Sequence, residues 1–301
     1  AEKNENDFMK RYLILLAAMW LVSGSVISQN DNLGFGFRAG ASIAKLDGPS
    51  ELGPNGEELE EFTMARGFHI GASVSYKFTD LVGMKAEFVY SQRGTEYKYD
   101  GPSYYVLGRR TLRTTTIYGN REQTLDLSNV FLDIPVMAYY KIGKLELCGG
   151  VNAGILLAST AGGSTNFEGI SSLGNPIAPF QVGLNHNYKK DEAGEASSET
   201  FDVSIDGSFP YTVPETVMAY YEFETKVENQ YKTLDFGLVV GAAFYVNEGL
   251  YFSARYNHGL SDADVNTYDV SLQSLNTDGS FKYRDDDNRS RSWQFSVGFS
   301  F

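Results

Sequence analysis

The chain holds one cysteine, three histidines and eight prolines among 301 residues. A single thiol excludes an internal disulfide framework and any cysteine-built zinc site. Bases are also scarce: 25 Lys and Arg stand against 38 Asp and Glu, a net charge of −13. That balance excludes the basic surface that nucleic acid requires. Beyond residue 28 no apolar run approaches the roughly 20 residues of a membrane helix. The mean hydropathy of −0.27 is that of a soluble protein. What is abundant contradicts it: 31 Gly, 20 Tyr and 20 Phe. Such a composition suits a membrane barrel, in which only every second residue meets lipid.

The N-terminus reads as processed material. Residues 1–8 form a polar upstream segment before Met9. Lys10 and Arg11 then precede an apolar run from Tyr12 to Val22 and the small residues Ser23, Gly24 and Ser25, the pattern of a secretory signal. Val26 and Ser28 suit the −3 and −1 positions of a cleavage site, so segment 9–28 is expected to be removed and Gln29 to become the first residue. The run is too short to anchor the chain in a bilayer, and no cysteine follows it to carry a lipid.

From Gln29 to Phe301 the chain alternates. In the last segment Trp293, Phe295, Val297, Phe299 and Phe301 share one face, and Ser292, Gln294, Ser296, Gly298 and Ser300 share the other. Period two belongs to a strand with one apolar face. The same pattern recurs near 33–46, 65–78, 83–98, 126–142, 145–158, 233–246 and 249–260, which makes eight segments. Charges fall almost wholly on one face of each. The connections alternate too. Thr79–Val82, Gly143–Lys144 and Asn247–Glu248 are short, whereas 47–63, 99–124, 159–231 and 261–289 are long. Short turns on one side and long loops on the other mark an outer-membrane barrel. Closure leaves no strand edge unpaired in lipid. The expected fold is all-β: a closed antiparallel transmembrane β-barrel of eight strands, with short periplasmic turns and long extracellular loops. Ten strands result if the long connection 159–231 sends a hairpin, Thr200–Ile205 with Val217–Glu224, into the membrane. Glu222 and Glu224 alternate with Tyr221 and Phe223 there, which favours an extension outside the bilayer. The four long connections together carry 16 more acids than bases, so the acidity is an outward-facing coat.

Segments NVFLDIPVMAYYKI (129–142) and LELCGGVNAGILLA (145–158) resemble the PorT-like outer-membrane β-barrel family of Bacteroidota. So do the opening FGFRAGASIAKL (35–46) and the ending at Phe301. The resemblance spans roughly 33–301. It implies a cell-outer-membrane location, and one family member's role implies an assembly accessory of a secretion system. The connection 159–231 is longer than in compact members of that family.

Candidate functional residues follow from the faces. The inward positions collect Arg38, Lys77, Lys85, Arg93, Lys141 and Arg255 with Glu87, Asp133, Glu146 and Asp235. Ionisable groups at membrane depth need partners or water, and an eight-stranded barrel is about filled by its own side chains. A salt-bridged polar lumen is therefore expected, with a narrow diffusion channel as the alternative. Pro135 interrupts strand four, because proline supplies no N–H to a ladder; a bulge or lumen-facing kink is expected. Trp293, Phe295, Phe299 and Phe301 form the C-terminal pattern that the barrel-assembly machinery reads on its clients. Tyr76, Phe78, Tyr140, Phe252 and Phe299 fit a periplasmic aromatic girdle, and Phe68, Tyr90, Tyr256 and Trp293 an outer one. Cys148 is expected inward and inert. Asp285, Asp286 and Asp287 are a weak candidate for Ca²⁺, without the spacing of a calcium loop. An enzyme at the rim would use His258 with Ser261 and Asp262, but no nucleophile motif accompanies them. No cofactor is expected. The expected partners are outer-membrane lipid, lipopolysaccharide and the barrel-assembly machinery, and no nucleic acid. The expected function is a non-enzymatic barrel with an acidic outer surface.

Overall fold

The computed structural model describes residues 32–301 except 110, 112, 172–173 and 208–209. The expected signal segment lies outside the described residues. Fourteen strands follow in chain order: β1 (Leu33–Asp47), β2 (Glu60–Lys77), β3 (Val82–Leu107), β4 (Thr115–Ile142), β5 (Leu145–Ile170), β6 (Pro176–Asn187), β7 (Thr200–Val203), β8 (Tyr211–Pro214), β9 (Thr216–Val217), β10 (Leu234–Tyr245), β11 (Leu250–Gly259), β12 (Val270–Leu275), β13 (Phe281–Tyr283) and β14 (Arg289–Ser300).

Eight of them close a barrel. β10, β11, β14, β1, β2, β3, β4 and β5 pair in that order, and β5 pairs back to β10. All of these pairings are antiparallel. The eight strands correspond to the eight alternating segments of the sequence. At the seam between the chain ends, Phe35 and Phe301 exchange backbone hydrogen bonds of 2.8 Å. The outward face is apolar and exposed, with Phe37, Ile70, Phe88, Val151, Val240 and Phe295 along it. An apolar surface this wide is stable only against another apolar medium, here the hydrocarbon of a bilayer. The short turns β2–β3, β4–β5 and β10–β11 lie at one end. Gly143, at φ 59°, permits the tightest of them. On β1, a Cβ at Gly40 would collide with the Phe295 carbonyl of β14, so the small residue lets the two strands approach.

The barrel wall continues far past the membrane. β3, β4 and β5 have 26, 28 and 26 residues, against the roughly 9–11 that cross a bilayer. What the sequence presented as loop 99–124 is mostly the outer part of the β3–β4 hairpin. β6 pairs with the outer part of β5 from Thr160↔Asn187 to Ile170↔Pro176. The expected hairpin of 159–231 differs in detail: Thr200–Val203 pairs with Tyr211–Pro214, while Val217 pairs with Leu184 of β6. Neither hairpin strand joins the barrel. The outer strands and this hairpin enclose their own apolar core, built on Tyr105, Leu107, Ile117, Phe167, Val182 and Val213. Tyr105, Phe167 and Phe180 pack edge and face with centroids 5.0–5.7 Å apart, within the range that aromatic pairs prefer.

The end of the long connection folds back across the barrel mouth. Tyr220 donates from its hydroxyl to the Tyr188 carbonyl at 2.6 Å, and its own oxygen accepts from Gln230 N at 2.9 Å. Tyr188 and Tyr231 meet edge to face at 4.9 Å. They pack with Leu46, Leu127 and Ala161 at the outer rim of the barrel.

Candidate functional site

The barrel interior is filled by three charged layers. Nearest the short turns, Lys85 donates to Glu146 at 2.6 Å, and the Tyr245 hydroxyl donates to the other oxygen of Glu146 at 3.0 Å. In the middle, Glu87 accepts from Arg38 Nε at 2.9 Å and from both terminal nitrogens of Arg255 at 2.6 and 2.8 Å. Arg38 spends its remaining donors on Ser296 Oγ at 3.0 Å and Gln294 Oε1 at 2.9 Å. Nearest the outer end, Arg93 bridges Asp133 and Asp235, the latter at 2.8 Å. Asn152 donates to Asp133 at 3.0 Å, and Ser261 to Asp235 at 2.9 Å.

Four bases and four acids thus occupy the interior, and none is more than 6% exposed. Burying charge is tolerated only with partners, and this set is balanced. The alternation puts these residues inward, and the shear of the barrel brings distant ones level. Gly154 makes room for the outer layer: a Cβ there would sit 2.9 Å from Asp133 Oδ1 and 3.3 Å from Phe131.

Lys141 and Lys77 are corrections to the expected network. Lys141 is half-buried at the turn end, with its ammonium 3.9 Å over the Tyr245 ring rather than against a carboxylate. Lys77 is exposed beyond the last layer. At both positions the alternation continues past the lumen into water. His69 is a residue whose role the sequence concealed: its ring nitrogens lie 3.0 Å from Ser42 Oγ and 2.7 Å from Ser296 Oγ. An inward histidine carries no signal that it joins a hydroxyl chain.

Pro135 faces inward, as expected, but there is no bulge at it. It stays paired with Asn152 on β5. On the β3 side the ladder lapses between Ala86↔Val136 and Val89↔Asp133 and resumes in the same register. The missing N–H removes rungs without shifting the strands. The bulge of this pair lies at Val130/Phe131, opposite Leu157.

Asp285, Asp286 and Asp287 turn to separate partners. Asp285 accepts from Asn266 at 2.5 Å, Asp286 pairs with Arg284 at 2.6 Å, and Asp287 pairs with Arg289 at 3.0 Å. Among the described residues no group of three ligating side chains is placed to hold a metal ion. Ser261 is hydrogen-bonded to Asp235, and Asp262 pairs with Lys232 at 2.5 Å. The set proposed for a rim enzyme is therefore committed elsewhere, while His258 lies beside the Tyr256 ring.

Between the barrel mouth and the folded-back connection lies a chamber of 230 Å³. Arg284 spans it, donating to both oxygens of Glu60 at 2.9 and 2.8 Å and to Asp286 at 2.6 Å. Burial and the neighbouring Asp262 push the Asp264 carboxyl up to about 7. Burial and Asp286 push Asp269 up to about 8, against the opposing pull of Arg284. A second, mostly apolar chamber of 140 Å³ adjoins it, among Tyr105, Val182, Leu184, Val217 and Phe281. This outer pair of chambers is invisible in the sequence, because its walls come from stretches of chain scattered between Leu46 and Asn288.

Comparison with known proteins gives a family and a set of remote structural neighbours. No curated protein matches. Among solved structures, Ail, the attachment invasion locus protein of Yersinia pestis, is 11% identical in its complex with the heparin analogue sucrose octasulfate. The alignment covers 90% of this chain and 99% of that one, with a TM-score of 0.35. OprG of Pseudomonas aeruginosa is 12% identical over 89% of this chain and 95% of that one, with a TM-score of 0.35. Neisserial surface protein A is 13% identical over 88% and 95%, with a TM-score of 0.28. The family model described as outer membrane protein beta-barrel domain matches residues 27–265. That is most of the chain, and the chain belongs to the outer membrane protein beta-barrel domain family.

Proposed function

We propose that this protein is a closed, non-enzymatic outer-membrane barrel that displays a folded β-domain at the cell surface as a binding platform. The observation that carries this reading is the balanced stack of Lys85–Glu146, Arg38–Glu87–Arg255 and Arg93–Asp133–Asp235 through the lumen. A pore needs a continuous wet path, and these side chains occupy it. Tyr231 and Lys232 then lie directly above the outer layer, around a void of only 20 Å³, which is room for about one water. The test is planar-bilayer recording on purified protein whose gel migration shifts on heating. Silence supports the closed barrel. Reproducible unitary steps abolished by acidifying the lumen pairs would establish the narrow channel instead.

In this reading the chain is exported by a cleaved signal over 9–28, so the mature protein begins at Gln29 on N-terminal sequencing. The barrel-assembly machinery receives it through the strand ending Trp293, Phe295, Phe299 and Phe301. Lipid and lipopolysaccharide cover its outward face. A second reading, an accessory of a secretion system, is favoured by the PorT-like β4–β5 hairpin at 129–142 and 145–158. Unimpaired secretion after deletion of the gene would remove it.

A further inference from the structure

We infer that the two adjoining outer chambers form one binding site for a small amphipathic organic cation, with its ammonium group among Asp269, Asp286 and Asn288 and its apolar part in the upper chamber. The inference rests on the closed-barrel reading, because it makes the chambers an end point rather than a passage. Gln123, His186, Ala219, Phe223, Val270 and Leu272 line both chambers, so the two volumes of 140 and 230 Å³ adjoin, with a polar floor and an apolar roof. Together they reach the size of small-molecule sites, roughly 300–1,000 Å³.

Three acceptors of the floor are left without a donor of their own. Asp269 Oδ2, Asp286 Oδ1 and Asn288 Oδ1 are buried and take no hydrogen bond from a neighbouring donor, apart from the proton that Asp269 and Asp286 share when Asp269 is neutral. Asn288 is 7% exposed and uses its amide hydrogens on Asp264. The Asp286 side chain is 9% exposed. A primary ammonium offers three donors, enough to serve all three acceptors in place of the proton that Asp269 and Asp286 share. Charge points the same way. Among the described residues the floor holds Glu60, Asp264, Asp269 and Asp286 against the Arg284 guanidinium. Arg284 is committed to Glu60 and Asp286, so among the described residues Asp264 and Asp269 have no ion pair of their own.

The groups facing Asp269 are Asp286, Arg284 and Asp264, and those facing Asp264 are Asp262, Asn288 and Asp286. At neutral pH a proton stands in for the missing cation. Burial pushes His186, at the junction of the chambers, down to about 4, so it adds no positive charge. The Tyr188, Tyr231 and Tyr268 rings wall the floor, and tyrosine faces attract cations. A metal ion fits less well: no three ligating side chains converge among the described residues, and the Arg284 guanidinium stands between the carboxylates.

The test is calorimetric titration of the full barrel in nanodiscs with 4-phenylbutylamine, 4-phenylbutanol and 4-phenylbutyrate. The amine is expected to bind at least tenfold more tightly than the alcohol, and the carboxylate more weakly still. Amine binding at pH 7 should release protons, seen as a dependence of heat on buffer. Asp269→Asn, which keeps the neutral form already present at pH 7, should reduce that release and weaken the amine at least fivefold while leaving the alcohol unchanged. Equal affinity for amine and alcohol, or no amine binding to heat-modifiable protein, overturns the inference. Bilayer recording on the same preparation separates the two readings: channel steps would fell the closed barrel, whereas silence with no amine binding fells only the site.

Discussion

Arg255 grips Glu87 with both terminal nitrogens, at 2.6 and 2.8 Å, in the middle of the barrel. The two residues are 168 positions apart. Glu87 stands opposite the stretch of β4 where Pro135 leaves the ladder incomplete, so the central carboxylate sits at an interruption of the β3–β4 ladder. It also neutralises Arg38. One acid therefore holds two guanidinium groups, and the lumen is most vulnerable there.

Glu87→Gln should leave Arg38 and Arg255 facing each other with no anion between them. Removing one partner of a buried pair costs about 3–5 kcal/mol. The urea midpoint for loss of the heat-modifiable band should fall accordingly. The double variant Arg255→Met with Glu87→Gln should recover part of the loss. An unchanged midpoint in the single variant would show that the layer contributes nothing.

Gly154→Val tests the packing of the outer layer without touching a charge. The new Cβ would lie against Asp133 and Phe131. Overpacking of this kind costs about 1–3 kcal/mol. The same substitution at Gly162, whose Cβ would meet nothing within 4 Å, should be close to neutral. Equal unfolding midpoints for the two variants would refute the packing argument.

The eight membrane crossings were legible in the sequence because lipid and lumen impose opposite polarity on alternate residues. Trp293 through Phe301 is the plainest case. The lumen charges were legible for the same reason. Their pairing was not, since Arg93 meets Asp133 and Asp235 only through the shear of the closed barrel. The outer domain was missed for two physical reasons. Above the membrane β4 changes kind: Glu122, Thr124 and Asp126 face water while Leu127 is buried, a soluble-type strand that lacks the aromatic outer face. On β5 the extra residue at Leu157 reverses the phase, so inward residues pass from Asn152, Gly154 and Leu156 to Ser159, Ala161, Thr165 and Phe167. A strict alternation ends there, so the pattern alone predicts a strand end at 158.

The outer connection 260–288 should loosen as pH rises. Asp264 and Asp269 have folded-state pKa values of about 7 and about 8, above the ordinary carboxylate value. The folded form therefore binds more protons than the unfolded form between about pH 4 and pH 8. Their stabilising contribution is present at the acid side of that window and is lost as pH climbs through the folded values. Hydrogen exchange across 262–288 should accelerate from pH 5 to pH 9 beyond the intrinsic base-catalysed rate. Asp264→Asn with Asp269→Asn should flatten the excess. The same excess in that double variant would assign it to other groups.

Phe167→Ala should separate the outer domain from the barrel. Phe167 is 1% exposed and packs against Tyr105 and Phe180. Truncating a buried phenylalanine costs about 3–5 kcal/mol, and a small β-domain has little stability to spare. Proteolysis of the part outside the membrane should increase, while heat-modifiable migration of the barrel persists. Loss of both together would mean that wall and domain fold as one cooperative unit.

Phe301→Ser tests whether the last strand carries an assembly signal or only a lipid contact. The side chain is 71% exposed, and its backbone closes the seam with Phe35. A serine keeps those backbone bonds and removes the aromatic ring. If the ring serves recognition by the assembly machinery, the variant should fold normally from urea into detergent yet reach the outer membrane of cells at a reduced level. If the ring serves only as lipid contact, a modest loss in refolding stability should appear with an unchanged cellular level. Phe295→Ser, deeper in the lipid-facing surface at 49% exposure, supplies the comparison, because its loss should weaken the refolded barrel in both settings.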